Sequence, residues 1–273
     1  MNDIINNRRK YIPPELYRYR AINPNESLEK NKHVNALIND KTYLTNPYFF
    51  NDPYDSAFSI DIDLFKNSLI KNAEQQIKKQ IVKIELEKNN IDINQVENIE
   101  MIYNDINIDL SKADNFFERN IPTFYEALIK QIKFKISCFS ENQKSILMWS
   151  HYANQHQGFC IGYDISKIEE EIRENIYPVF YHDRFFQLIK TSNLNDRKFN
   201  SLIKYKDWKY EQEWRLIYNK KFVSIKPSKI YLGVRFNDEY IDLFKDIANE
   251  KNCKLYKMKM NYSRYVLEYE EIE

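Results

Sequence analysis

The predicted fold and chemistry of this chain depend most on one stretch in its C-terminal half, Tyr210-Glu211-Gln212-Glu213-Trp214-Arg215-Leu216-Ile217. The stretch predicts a β-strand, in which alternation places Glu211, Glu213 and Arg215 on one face. Two carboxylates held close together suit a reaction in which positive charge develops at carbon, with one carboxylate acting as stabiliser or base. The alternative is an exposed strand face with a Glu–Arg ion pair, which contributes little to stability.

Composition predicts a folded protein of the cytoplasm. The chain has 273 residues, of which 43% are hydrophobic and 15% aromatic, and this favours a globule over a disordered chain. Its 41 Lys and Arg residues balance 40 Asp and Glu residues, so no global charge points to nucleic acid or to a membrane. We find no signal-peptide core and no apolar run of about 18 residues that could span a bilayer.

Cysteine and glycine usage excludes several kinds of site. The three cysteines are far apart and lack a Cys-x-x-Cys spacing, so a thiolate zinc site is not expected and a reducing compartment is. His151 and His156 are five residues apart, which does not place both on one helical face, so no metal site is expected there either. Only three glycines occur, which excludes the glycine-rich loops of Rossmann folds and P-loop proteins.

Strands and helices follow one another without strict alternation, which predicts a single α+β domain over residues 1–273. Strands are predicted at 15–20 and 132–139 and a helix at 145–154, and residues 185–205 are predicted to be helical. Between about 61 and 130 the composition shifts to Lys, Glu, Gln and Asn, with Ile and Leu at helical spacing. This segment predicts a helical insertion with breaks at Asn89-Asn90 and at 104–107.

Three segments form an ordered set of polar residues, namely Arg18 and Arg20 on the first strand, Ser137 and Ser140 at the end of another, and the Glu-x-Glu pair. Each has a physical role if the substrate is NAD. Guanidinium groups donate paired hydrogen bonds to pyrophosphate or ribose oxygens, and a serine hydroxyl can fix the ribose or orient a glutamate. One carboxylate can stabilise the ribosyl cation as nicotinamide leaves, and the other can take a proton from the acceptor.

This order resembles the Arg–Ser–Glu class of mono-ADP-ribosyltransferases. The resemblance implies a mixed, split β-sheet core that binds NAD in a cleft without a glycine loop. It assigns Glu213 to the ribose, Glu211 to the acceptor, Arg20 or else Arg18 to the arginine role and Ser137 to the serine role. The chain departs from that class in its Ser-x-x-Ser spacing and in the lack of a glycine after the arginine.

A longer series of motifs resembles a widespread prokaryotic family of unknown function. It comprises Leu16-Tyr17-Arg18-Tyr19-Arg20, Phe50-Asn51-Asp52-Pro53-Tyr54-Asp55, Ser137-Cys138-Phe139-Ser140, Met148-Trp149-Ser150-His151-Tyr152-Ala153, His156-Gln157-Gly158-Phe159-Cys160-Ile161 and Trp208-Lys209-Tyr210-Glu211-Gln212-Glu213-Trp214-Arg215. Members of that family occur among proteins of mobile elements and phage defence. The resemblance implies a toxin or defence effector with an antitoxin or defence-system partner.

The sequence therefore predicts an NAD-dependent ADP-ribosyltransferase or NAD glycohydrolase whose macromolecular acceptor the residues do not identify. Further NAD contacts are expected from Tyr54, Trp149 and Tyr152 by stacking and from His156, which closely precedes a glycine. Asp52 or Asp55 could face the same cleft, although acids in a turn usually bond locally.

Two alternatives remain open. Acidic residues around Asp207-Trp208-Lys209, with Glu211 and Asp52, could hold magnesium in a nuclease. The chain could also be a non-catalytic interaction module stabilised by ion pairs.

Overall fold

The computed structural model describes residues 10–23, 27–56, 62–108, 132–184 and 198–272, together with parts of 119–130. It confirms the α+β class, since the described residues combine several helices with a mostly antiparallel sheet. None of the described helices is both long and apolar enough to cross a membrane.

The described strands, in chain order, are β1 Glu15–Arg20, β2 Lys41–Tyr43, β3 Lys135–Ser140, β4 Phe159–Asp164, β5 Ile176–Pro178, β6 Phe180–His182, β7 Ile203–Tyr205, β8 Glu213–Tyr218, β9 Phe222–Ser224, β10 Lys229–Leu232, β11 Lys254–Met260 and β12 Leu267–Glu271. The described α-helices are α1 Lys32–Ile38, α2 Ile62–Lys88, α3 Ile99–Asp105, α4 Ile146–Tyr152, α5 Glu170–Arg173 and α6 Ile241–Lys251. A 3-10 helix occupies Lys206–Glu211.

Eight strands form one sheet in the order β12-β11-β10-β4-β1-β3-β8-β5. All neighbours are antiparallel except β10 and β11. Alternation along β1 separates two apolar clusters, because Leu16 packs into the larger cluster and Tyr17 into the smaller one. Helix α6 contributes Phe244 and Ile247 to the larger cluster, and α4 contributes Trp149 to the smaller one.

The pairing between β1 and β3 is short. All six residues of β1 pair with β4, whereas Tyr17 opposite Ser140 is the register pair that joins β1 to β3 in the described strands. Further along β3, Ile136 bridges Thr45 instead. The two strands therefore share a ladder at one end only, and the cavity described below lies at this place.

The chain forms two compact units, and the second comprises Phe58–Gln131 and Phe186–Thr191. Its described elements are α2, α3 and a short 3-10 turn at Ile93–Gln95. Helix α2 ends at Lys88 and α3 at Asp105, next to the two predicted breaks, so helices are confirmed in this segment. Whether residues 1–273 fold as a single domain stays a prediction.

Two secondary-structure predictions were wrong near the site. The strand predicted from Tyr210 begins only at Glu213, because 206–211 is a 3-10 helix and Gln212 adopts a left-handed conformation with φ 46°. Residues 203–205, predicted as the end of a helix, form strand β7 and pair with β6 in parallel. The remainder of that predicted helix, up to residue 197, lies outside the described residues.

Candidate functional site

A cavity of about 390 Å³ lies between β1, β3, the C-terminal part of α4 and the end of the 3-10 helix. Its lining includes Arg18 and Arg20 from β1, Tyr152 from α4, and Glu211 with Glu213. Phe49, Phe50 and Asp55 line it from the loop after β2. Segments that are widely separated in the chain thus bring arginines, carboxylates and aromatic rings to one place.

Five buried charged side chains form a cluster at this cavity: Asp55, Lys204, Glu211, Glu213 and Arg215, each at most 6% exposed. Charged groups are rarely buried to this degree unless they are paired, and here every one of them is. Three carboxylates face two cations, so the cluster carries one more negative than positive charge when all its members are ionised.

Arg215 holds two of the carboxylates. Its Nη1 and Nη2 donate to the two oxygens of Asp55 at 2.8 and 2.7 Å, and its Nε donates to Oε1 of Glu213 at 2.7 Å. Nη1 also donates to the Ser201 carbonyl oxygen at 2.5 Å. Burial lowers the pKa of Arg215, but attraction to Asp55 and Glu213 outweighs it and raises the pKa well above its usual range. Arg215 is therefore a permanent cation of the core.

Lys204 joins the two glutamates. Its Nζ donates to Oε2 of Glu211 at 2.5 Å and to Oε2 of Glu213 at 3.0 Å, and it lies 3.6 Å from Oδ2 of Asp55. Burial lowers the pKa of Lys204, but the three carboxylates together raise it above its usual value. The sequence carries no signal for this lysine, because it is one of several lysines in a segment predicted to be helical.

The two glutamates differ in how fully their oxygens are used. Glu213 accepts three hydrogen bonds from Arg215 and Lys204. Burial raises its pKa, but these cations and the Cys138 thiol outweigh burial and lower the pKa to about 2. Glu211 accepts one bond from Lys204 and one from the Tyr152 hydroxyl at 2.6 Å. Burial raises the pKa of Glu211, and the charge of Glu213 adds to that increase against the opposing effect of Lys204.

The backbone around Glu211 is fixed by polar contacts. The Ser140 hydroxyl donates to the Glu211 carbonyl oxygen at 2.6 Å, and the Glu213 backbone N–H donates to the Tyr181 hydroxyl at 2.8 Å. Between them, left-handed Gln212 ends the 3-10 helix, and its N–H donates to the Lys209 carbonyl. The turn at Gln212, rather than strand alternation, thus brings both carboxylates to Lys204.

The arginines reach the cavity from the other face of the sheet. Tyr17, Ser140 and Glu213 lie opposite one another across β1, β3 and β8, so they share a face. Alternation turns Arg18 and Arg20 away from that face. A ligand that contacts both sets of residues therefore has to pass through the place where β1 and β3 no longer pair.

The Arg18 side chain is fixed by contacts near the point where the β1–β3 pairing ends. Its Nη2 donates to the Tyr43 carbonyl oxygen at 2.7 Å, and its guanidinium carbon lies 5.8 Å from the centre of the Phe139 ring. Among the described residues, its buried Nε has no hydrogen-bond partner. Burial lowers the pKa of Arg18 below its usual value. Within the described part of the chain, Arg20 donates one long bond, of 3.3 Å, to the Tyr19 carbonyl oxygen.

Several residues predicted for the site lie elsewhere. Ser137 and Ser140 lie on opposite faces of β3. Ser137 pairs with Leu216, on the face away from Glu213, whereas Ser140 pairs with Glu213 and lines the cavity. Trp149 is completely buried in the smaller apolar cluster. Tyr54 and His156 line two other cavities.

Asp52 in the Asn51-Asp52-Pro53 turn and Asp55 just after it have different surroundings. Asp55 lines the cavity and binds Arg215. Asp52 accepts from the Tyr54 backbone N–H at 2.8 Å, the local bond expected of an acid in a turn.

Comparison with known proteins finds one similarity, to a family of unknown function, over part of the chain. No curated protein and no solved structure matches the chain. The model of one family, described as a protein of unknown function (DUF2971), matches residues 148–216. This stretch spans about a quarter of the chain and includes Tyr152, Lys204, Glu211, Glu213 and Arg215. Over those residues, the chain is similar to the DUF2971 family of proteins of unknown function.

Proposed function

We propose that the cavity binds NAD and that the protein releases nicotinamide from it, transferring ADP-ribose to water or to a macromolecule. The observation that carries the proposal is that Arg18, Arg20, Glu211 and Glu213 line one cavity although they come from opposite ends of the chain. We further propose that the short β1–β3 pairing corresponds to the split of an ADP-ribosyltransferase-like sheet.

The lining suits a ligand with both phosphates and flat rings. Forked guanidinium groups bind phosphate oxygens, and the rings of Phe49, Phe50 and Tyr152 offer stacking surfaces for nicotinamide or adenine. Arg18 supports this role because its buried Nε has no hydrogen-bond partner within the described residues. A bound pyrophosphate oxygen would satisfy that nitrogen.

The contacts favour Glu211 as the reactive carboxylate. The sequence-based assignment gave the ribose role to Glu213, but Arg215 and Lys204 already neutralise that group. The excess negative charge of the cluster therefore lies at Glu211, which keeps unshared lone pairs on both oxygens. As the bond between the nicotinamide nitrogen and ribose C1′ breaks, its electron pair leaves with nicotinamide. Glu211 stabilises the cation at C1′ and then takes the proton of the attacking acceptor oxygen.

The nuclease alternative receives less support from the same contacts. Asp207 and Lys209 are exposed, and neither lines the cavity. The carboxylates that do line it share their oxygens with Lys204 and Arg215, which occupy the positions a divalent cation would need. No group of three His, Cys, Asp or Glu residues within the described ranges is arranged to hold a metal.

The proposal is tested by incubating the protein with NAD labelled in its adenylate phosphate and following both nicotinamide and the label. Free nicotinamide with free labelled ADP-ribose indicates a glycohydrolase, whereas label on added protein or nucleic acid indicates a transferase. Intact NAD, together with cleavage of labelled DNA or RNA in magnesium, would overturn the proposal in favour of a nuclease. Intact NAD without such cleavage would leave a non-catalytic interaction module.

A further inference from the structure

A second cavity, of about 710 Å³, lies away from the carboxylate cluster, beside the hairpin that joins β11 to β12. Its walls are the hairpin residues 260–267, one side of α4, and the segments around His156 and Arg235. It shares no lining residue with the proposed NAD cavity. We call it the hairpin groove.

Two tyrosines of the hairpin are almost completely exposed. Tyr262 is 95% and Tyr265 99% accessible, more than any other large hydrophobic side chain in the described residues. Large rings gain stability by being buried, so a pair of rings left in water at the mouth of a groove points to a ligand surface.

The hairpin tip holds these rings in a defined position. The Asn261 side-chain oxygen accepts bonds from the Ser263 and Arg264 backbone N–H groups, both at 2.9 Å, and from the Ser263 hydroxyl at 2.8 Å. The Asn261 N–H donates to the Val266 carbonyl, which closes the turn. A tip organised in this way loses little conformational entropy when a ligand binds.

The groove is basic although the chain as a whole is nearly neutral. Arg235 and Arg264 line it, and none of its described lining residues is a carboxylate. Among the described residues, neither arginine forms a salt bridge. Of the three acids of β12, Glu270 pairs with Lys259 and Glu271 with Lys254, and Glu268 accepts a hydrogen bond from the Asn261 side-chain amide at 2.7 Å. A negatively charged ligand therefore meets two arginines that form no described salt bridge.

We propose that the hairpin groove binds single-stranded nucleic acid. Exposed aromatic rings stack on unpaired bases, and free guanidinium groups bind the phosphates between them. Duplex DNA does not fit this chemistry, because its bases are already stacked on one another. The inference is independent of the NAD proposal, because it uses none of the same residues.

The test is fluorescence anisotropy with labelled 12-nucleotide oligo(dT) and oligo(U), with a duplex of the same length for comparison. We expect the single strands to bind and the double variant Tyr262→Ala, Tyr265→Ala to bind at least about tenfold more weakly. Arg264→Gln should reduce the slope of log affinity against log salt by about 0.7, the value for one lost phosphate contact. Tyr11→Ala, which removes a ring that is 58% exposed and outside the groove, is the matched control and should bind like the wild type.

Three results would overturn the proposal. One is the absence of single-strand binding at 50 mM salt, and a second is equal binding by the double tyrosine variant and the wild type. The third is sedimentation with anionic lipid vesicles in the absence of oligonucleotide binding, which would assign the surface to a lipid headgroup. Because the changed side chains are exposed, thermal unfolding of each variant should match the wild type and so rule out misfolding as the cause.

Discussion

At the scale of residues, Glu211 and Glu213 show how the environment separates two identical side chains. Both are buried and both touch Lys204, but only Glu213 is also held by Arg215. An ionised, fully paired carboxylate stabilises a core, whereas one with free lone pairs and a raised pKa can exchange a proton. We therefore expect the two glutamine variants to fail in different ways.

Glu213→Gln should lower stability. The change removes a buried carboxylate that Lys204 and Arg215 both contact, and breaking a buried ion pair costs about 3–5 kcal/mol. The folded pKa of about 2 lies below the ordinary value of 4.5, so this contribution is present above pH 4.5 and is lost as pH falls towards 2. Urea unfolding between pH 2 and pH 7 should show that loss in the wild type and in Glu250→Gln, whose side chain is 69% exposed, but not in Glu213→Gln. Identical pH profiles in all three proteins would contradict the ion-pair role.

The pH dependence of activity should report Glu211. Its carboxylate must be ionised to stabilise the cation and accept a proton, and its pKa is raised by burial. Nicotinamide release should therefore decrease on acidification with an inflection above pH 4.5, the ordinary value for glutamate. Tyr152→Phe removes one hydrogen bond to the ionised form and should move the inflection further up. An inflection that is the same in both proteins would remove Tyr152 from the site.

At the scale of elements, the junction between the 3-10 helix and β8 decides the geometry of the site. The sequence predicted β1 and α4 well, because apolar and aromatic residues there follow the strand or helix period. It failed at Gln212, since a left-handed residue that is neither glycine nor asparagine carries no local signal. It also failed at Lys204, whose burial depends on three carboxylates supplied by other segments.

Substitutions at Gln212 should separate backbone conformation from side-chain chemistry. Gln212→Gly removes a left-handed penalty of about 1–2 kcal/mol and adds a glycine entropy cost of about 0.5–1 kcal/mol, so stability should change little. Gln212→Val places a β-branched side chain at φ 46° and should lose about 1–2 kcal/mol or more. Chemical denaturation of both variants measures this difference. Equal stability of the Val and Gly variants would show that the junction is not strained.

At the scale of the whole molecule, the site is assembled from segments as distant as Arg18 and Glu213. The sequence indicated that arginines, a serine and two glutamates form one site, and most of the predicted residues line the cavity. Which serine faces the cavity depends on the register of β3, which the sequence does not show. Ser137 and Ser140 are equivalent in composition, and only pairing of β3 with β8 distinguishes them. A one-residue difference in register exchanges the faces of a strand, which no short motif encodes.

Binding of NAD should stabilise the folded protein as a whole. A ligand at 100 times its dissociation constant adds about 2.7 kcal/mol to the free energy of unfolding, provided that it binds the native state alone. We expect NAD to raise the melting temperature of the wild type and to raise that of Arg18→Ala less, because the guanidinium group contacts the ligand before reaction. A shift of equal size in both proteins would place NAD outside this cavity.

The central claim is that the Glu211 carboxylate at this cavity drives release of nicotinamide from NAD. Its most direct test compares initial rates of nicotinamide release by folded wild type, Glu211→Gln and Glu250→Gln at saturating NAD and neutral pH. We predict equal rates for the wild type and Glu250→Gln, and a rate lower by about a hundredfold or more for Glu211→Gln, with its NAD-induced shift in melting temperature retained. Equal rates for the wild type and Glu211→Gln, or no release by any of the three proteins, would contradict the claim.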